Sequence, residues 1–131
     1  MNPKEFIDKL KRDKARGNLA PHQIILLITF LDIYIKNKSQ SFDIVELENE
    51  FQKVWEHNKS DFVSTNNRIG LPLKAFLNKK FIRLTLRNEI KSFRKTEELK
   101  REISNIEIDK ILVNLFRQDN LKIYLISRIT N

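Results

Sequence analysis

The sequence predicts a mainly helical α+β domain, and three observations carry that expectation. The segment 24–35 is apolar nearly all round, which marks a buried helix rather than a surface one. Ile44, Leu47, Phe51, Val54 and Trp55 recur at spacings of three and four, the period of an amphipathic helix. Phe81-Ile82-Arg83-Leu84-Thr85-Leu86 is rich in β-branched and aromatic residues and follows the helical segments.

Taken in chain order, Asn2-Pro3 ahead of Phe6, Ile7 and Leu10 predicts a short amphipathic helix capped by Asn2. Gly17-Asn18 closes the basic stretch 9–16 with a tight turn. Pro21 suits the first position of the next helix, because its fixed φ is helical and its missing N–H would be unpaired there anyway. That helix runs over about 21–36 as the central element, and Asn37-Lys38-Ser39-Gln40 forms its exit loop. Asp43 caps a third helix through about Asn58, whose polar face carries Glu46, Glu48, Glu50 and Lys53. The segment 60–67 reads as a loop. Pro72 then starts a helix over 72–78 with Leu73, Phe76 and Leu77 turned inward.

After the strand 81–86, Arg87-Asn88-Glu89 predicts a hairpin turn returning through 90–94. Thr96 caps a charged helix to Ile103, and 106–108 is either a short strand or the approach to the next helix. Two closing helices over 109–118 and 121–129 are separated by Asp119-Asn120. Helices followed by a small β-ribbon give a winged-helix-like arrangement. Neither a repeat nor a low-complexity linker divides the 131 residues, so residues 1–131 are expected to form a single domain.

Apolar residues at 40% and charged residues at 32% give a globular balance. The chain has no cysteine, which excludes disulfides and thiolate metal sites within it. Met1-Asn2-Pro3-Lys4-Glu5 lacks the apolar core of a signal peptide. The apolar run 24–35 is too short to span a bilayer and contains Asp32. A cytoplasmic protein is the expectation. Catalysis is not expected: no Gly-rich phosphate loop, nucleophile elbow or paired-histidine motif is present. His57 ends a helix, where an imidazole commonly makes a surface contact with the helix dipole. Neither a cofactor nor a metal is expected.

The net charge of +8, from 25 Lys+Arg against 17 Asp+Glu, favours a polyanionic partner. Lys11, Arg12, Lys14 and Arg16 precede the helix at Pro21. Arg68 precedes the helix at Pro72, and Lys74, Lys79, Lys80 and Arg83 line or follow it. Should both helix starts share one surface, their N–H groups and these cations would form a phosphate-binding face. The alternative is lysines pointing in several directions. Leu71 and Ala75, four apart, share one side of a helical turn beside Pro72. They either offer a small apolar concavity next to cations or simply pack inward.

These segments together resemble a known family. Gly17-x-x-Ala20-Pro21-His22-Gln23-x-x-Leu26-Leu27-x-x-x-Leu31-Asp32 is similar to the opening motif, Gly-x-Ala-Pro-His-Lys-Pro and a leucine run, of the N-terminal domain of certain HNH restriction endonucleases. Ile44-x-x-Leu47-x-x-x-Phe51-x-x-x-Trp55 resembles that domain's next helix. Leu71-Pro72-x-x-Ala75-Phe76-Leu77 and Phe81-x-x-Leu84 resemble its proline-led turn and strand, and 111–129 its closing helical pair. The resemblance covers most of the chain; its motifs are short, and their order and spacing carry it. Such domains bind phosphorothioate-modified DNA, in which sulfur replaces one non-bridging phosphate oxygen.

What the resemblance implies is a sulfur pocket at Leu71, Pro72 and Ala75, and DNA contacts from Arg16, His22, Gln23, Arg68, Lys74 and Lys79. Sulfur is larger, softer and less hydrated than oxygen, so an apolar wall beside cations favours it. The chain departs from the pattern at Leu71, where the family commonly has an aromatic, and at Gln23-Ile24, where it has Lys-Pro. The implied role is recognition of double-stranded DNA in a restriction or phage-defence system, with an HNH nuclease domain or subunit as partner. Two other readings stay open: a sulfur-independent winged-helix DNA-binding regulator, and a protein–protein adaptor using the acidic face of the 43–58 helix.

Overall fold

A computed structural model describes residues 5–6, 10, 14–15, 18–19, 21–62 and 64–129. It is a mainly helical α+β fold. The first described elements are two short strands, β1 (Lys14–Ala15) and β2 (Asn18–Leu19), which pair antiparallel. Helix α1 (His22–Asn37) follows, then β3 (Ser41–Phe42) and α2 (Ile44–Asn58), which runs into a 3₁₀ turn at Lys59–Asp61. After a loop come α3 (Gly70–Asn78) and β4 (Ile82–Leu86). A long excursion containing α4 (Thr96–Glu102) leads to β5 (Ile103–Ile108), and α5 (Lys110–Phe116) and α6 (Leu121–Ile129) close the fold.

Helix α1 is central. Ile24 to Leu31 are buried without interruption, and the helix touches α2, α3 and α6. Thr29, buried among them, satisfies its hydroxyl by donating to the Ile25 carbonyl at 2.7 Å. Phe30 lies edge-on to Phe42 at 5.0 Å and stacks on Phe76 at 6.2 Å, so one ring joins α1 to the sheet and to α3. Phe6 and Leu10 are buried in the same cluster, and Glu5-Phe6 is helical, but Asn2 and the rest of the expected first helix lie outside the described residues. Gly17 and its expected turn lie outside them too, between the paired β1 and β2.

Strands β3, β5 and β4 form an antiparallel sheet in that order, with β5 in the middle. Three consecutive helices with one strand between the first two, then a pair of strands enclosing a long loop, is the winged-helix order of elements. Residues 87–102 occupy the place of the wing. Ser104 is an extra residue in β5: Thr85 pairs with Asn105 and Leu86 with Ile103. This bulge shifts the side-chain phase, so that Ile103 and Ile106, three apart, are both buried.

Several boundaries differ from expectation for local reasons. Pro21 is the cap of α1 rather than its first residue, and α3 starts two residues before Pro72, at Gly70. Lys95, not Thr96, occupies the cap position of α4, and α5 ends at Phe116. Segment 90–94 is not the returning strand; that strand is Ile103–Ile108. The carboxylate of Glu98 accepts the backbone N–H groups of Lys91 at 2.6 Å and Ser92 at 3.2 Å, which withdraws them from any ladder.

Candidate nucleic-acid interface

Helices α2 and α3, joined by the loop through residue 69, are the two helices that a helix-turn-helix would use. The loop is fastened at two points. Gln52 and Asn67 are bonded twice, Gln52 Nε2 donating to the Asn67 carbonyl at 2.7 Å and Asn67 Nδ2 donating to Gln52 Oε1 at 2.9 Å. The His22 Nε2 lies 2.5 Å from the Asn66 carbonyl, which accepts, and the imidazole packs 5.1 Å from Trp55. Arg68, exposed, follows directly, and its N–H donates to Asn66 Oδ1 at 3.2 Å. A loop held this way sets the angle at which α3 begins.

The spacing within α3 divides it into two faces. Pro72, Leu73 and Phe76 are buried against the core, while Leu71, Lys74 and Asn78 are exposed at intervals of three and four. Ala75 and Leu77 are half-buried at the margins. Pro72 stands in the first turn, where its missing N–H breaks no helical bond, since the first of these is Leu73 N–H to Ile69. The helix ends in a Schellman motif: Lys80 at φ 62° donates to Leu77, and Phe81 donates to Phe76.

Of the residues expected at an interface, the structure brings together most of those it describes. Lys79 Nζ donates to Gln23 Oε1 at 2.8 Å, so the start of α1 reaches the C-terminal end of α3 as well as, through His22, the loop before it. Leu71 and Lys74 lie on the outward face between these points. Leu71 is 44% exposed, which leaves much of its side chain open to a ligand. Pro72 sits beneath this surface, so the accessible apolar atoms are those of Leu71 and Ala75. Arg16 lies outside the described residues, as do Lys11 and Arg12. Arg83 is directed elsewhere, pairing on the sheet with Glu107 and with Asp109 at 2.9 Å. Glu107 first and Asp109 second hold its guanidinium more firmly protonated than usual.

Asn78 and Lys80 complete the outward face. Asn78 was signalled by its spacing, four from Lys74 and seven from Leu71, and Lys80 by its place just past the helix. Among the described residues Arg68, Lys74 and Lys80 form no ion pair with a carboxylate, whereas Lys53, Lys59, Arg83, Lys100, Arg101 and Lys122 all do. The wing abuts this face. A Cβ on Gly70 would stand 1.6 Å from the Phe93 carbonyl oxygen, and the Lys74 ammonium lies 5.9 Å from the centre of the Phe93 ring.

A second concavity, of about 290 Å³, lies between α1, α2 and α6 and is lined by Asp32, Glu50, Lys53, His57 and Lys122 among others. Its charges are largely compensated, Lys122 by Asp32 at 2.9 Å and Lys53 by Glu50 at 3.9 Å. Among the described residues no group of three or more His, Asp or Glu side chains is placed to hold a metal ion, and no helix is long and apolar enough to cross a membrane. No protein-family model matches the chain, and no curated protein matches it.

Proposed function

We propose that this chain is a recognition domain for double-stranded DNA, that it lays the outward face of α3 against the duplex, and that it prefers phosphorothioate-modified DNA. The observation that carries the reading is α3 itself. It is the third helix in a winged-helix order of elements, and its face of Leu71, Lys74 and Asn78 has Arg68 at one end and Lys80 at the other. A helix in this position enters the major groove while flanking cations take the phosphates.

The preference for sulfur rests on the family resemblance together with the exposure of Leu71. An exposed leucine beside an ammonium is a poor partner for a well-hydrated phosphate oxygen and a better one for a larger, weakly hydrated sulfur. Lys74 supplies the charge, and Leu71 with Ala75 supplies the apolar contact. His22, Gln23 and Lys79, bonded within the protein, brace the surface, and Lys79 adds a positive charge at its rim. Recognition without catalysis suits a restriction or defence system in the cytoplasm, in which an HNH nuclease domain or subunit cuts what this domain marks.

The test is equilibrium binding to two identical duplexes, one carrying a single non-bridging sulfur, at about 50 mM salt where electrostatic binding is strong. Both should bind, with the sulfur-bearing duplex favoured. Leu71→Glu should abolish the preference without unfolding the protein, because the side chain is already largely in solvent. Equal affinity for the two duplexes would make this a sulfur-independent winged-helix DNA binder. Absence of binding to either would point to an adaptor function for the acidic face of α2.

A further inference from the structure

Resting on the DNA-binding reading, we infer that the wing is a second, pre-organised phosphate-binding element, with Arg94 and Lys95 as its contacts and Glu98 as the residue that positions them. None of these three belongs to the surface that the sequence motifs single out. The loop is held by a series of hydrogen bonds. Arg87 donates its N–H to the Glu102 carbonyl and its guanidinium to the carbonyls of Arg101 and Ile103, both at 3.1 Å. Asn88 Nδ2 donates to Glu102 at 3.0 Å. Glu98, buried, takes the N–H groups of Lys91 and Ser92, and the Ser92 hydroxyl takes the N–H of Arg94 at 3.3 Å. Lys95 N–H donates to the Ser92 carbonyl at 3.3 Å. The backbone from 91 to 95 is therefore fixed before any ligand arrives.

Its position is equally defined. Phe93 presses its backbone onto Gly70, the first residue of α3, and presents its ring to Lys74 on the outward face. Arg94 and Lys95 are the next two residues, both exposed and both without an ion pair among the described residues. Glu98 accepts backbone N–H groups rather than pairing with either side chain, and Glu97 and Glu98 line the same shallow concavity as Lys95 without an ion pair to it. Two exposed cations without an ion pair, on a loop held by backbone hydrogen bonds beside a helix that faces DNA, can meet the phosphates flanking the helix with little ordering cost.

The test compares salt dependence. Each neutralised phosphate contributes about −0.9 to the slope of log K against log salt. The double variant Arg94→Ala/Lys95→Ala should make that slope shallower by about two and leave the sulfur preference unchanged, since Leu71 and Lys74 are untouched. Lys36→Ala/Arg117→Ala removes the same charge at the far end of α1 and should leave the slope unchanged. Glu98→Gln removes a negative charge and by charge alone would strengthen binding; because it loosens the loop it should instead weaken binding, while the fold, followed by circular dichroism, persists. If the wild-type chain binds duplex with a steep slope and the Arg94/Lys95 variant keeps that slope, the wing inference is wrong and the α3 reading stands. A comparable drop in the Lys36/Arg117 variant would overturn it as well, by reducing the effect to net charge. No duplex binding by the wild-type chain removes the reading on which it rests.

Discussion

Gly70 and Lys80 bracket α3, and each carries a backbone constraint that an amino-acid change can test. At Gly70 the neighbour is a carbonyl oxygen of the chain itself, 1.6 Å from where a Cβ would stand, and no rotamer change relieves it. Gly70→Ala should therefore cost at least about 2 kcal/mol in urea unfolding, or push the wing off α3. Lys80 is the opposite case. Its φ of 62° suits glycine, so Lys80→Gly should raise stability by about 0.5–1 kcal/mol. The same change removes a cation from the outward face and should weaken duplex binding. A variant that gains stability while losing affinity separates the two roles of one residue. Leu71 was legible in the sequence as an odd apolar residue among cations; the burial of Pro72 beside it was not, because a proline that starts a helix and one that packs inside its first turn leave the same trace in the sequence.

At the level of elements, the cap and apolar spacing of α2 and the burial of α1 follow from residues adjacent in the chain. Asp43 caps α2 over Ile44–Asn58 as its spacing implies, its carboxylate accepting the Glu46 N–H at 3.0 Å. The buried all-apolar α1 was equally plain. The wing was not legible, because its shape depends on Glu98 reaching back seven residues to Lys91 and on a glycine that admits Phe93. Asp109, the cap of α5, offers a pH test at this scale. Its carboxylate accepts the Ile111 N–H at 3.0 Å and pairs with Arg83, and the Ile111 bond first, then Arg83, hold its pKa below the ordinary value against the opposing effect of desolvation. A carboxyl whose pKa is lower when folded contributes stability that is full above the unfolded pKa of about 3.9 and is lost as pH falls through the folded value. Asp109→Asn, which keeps a capping oxygen, should flatten the acid limb of the stability–pH profile. An unchanged acid limb would show that the charge of Asp109, and its pairing with Arg83, contribute nothing there.

Over the whole molecule, some cations are paired with carboxylates and others are not. Carboxylates take up cations along α2, at the β4–β5 edge and on α4 and α6, whereas among the described residues Arg68, Lys74, Lys80, Arg94 and Lys95 around α3 and the wing form no ion pair, nor do Lys36, Lys38 and Arg117 elsewhere on the surface. The cations around α3 and the wing predict duplex binding that weakens steeply between about 50 and 200 mM salt. The excess of cations was evident from composition, but which of them share the surface of α3 depends on tertiary contacts such as Lys79 to Gln23, which join residues 56 apart in the chain. The most direct measurement of the central claim is a backbone amide shift map of the chain during titration with a short duplex. The largest changes should fall at residues 66–80 and 91–95, centred on Leu71, Lys74 and Asn78. Changes confined to the groove between α1, α2 and α6, or to the acidic face of α2, would contradict it.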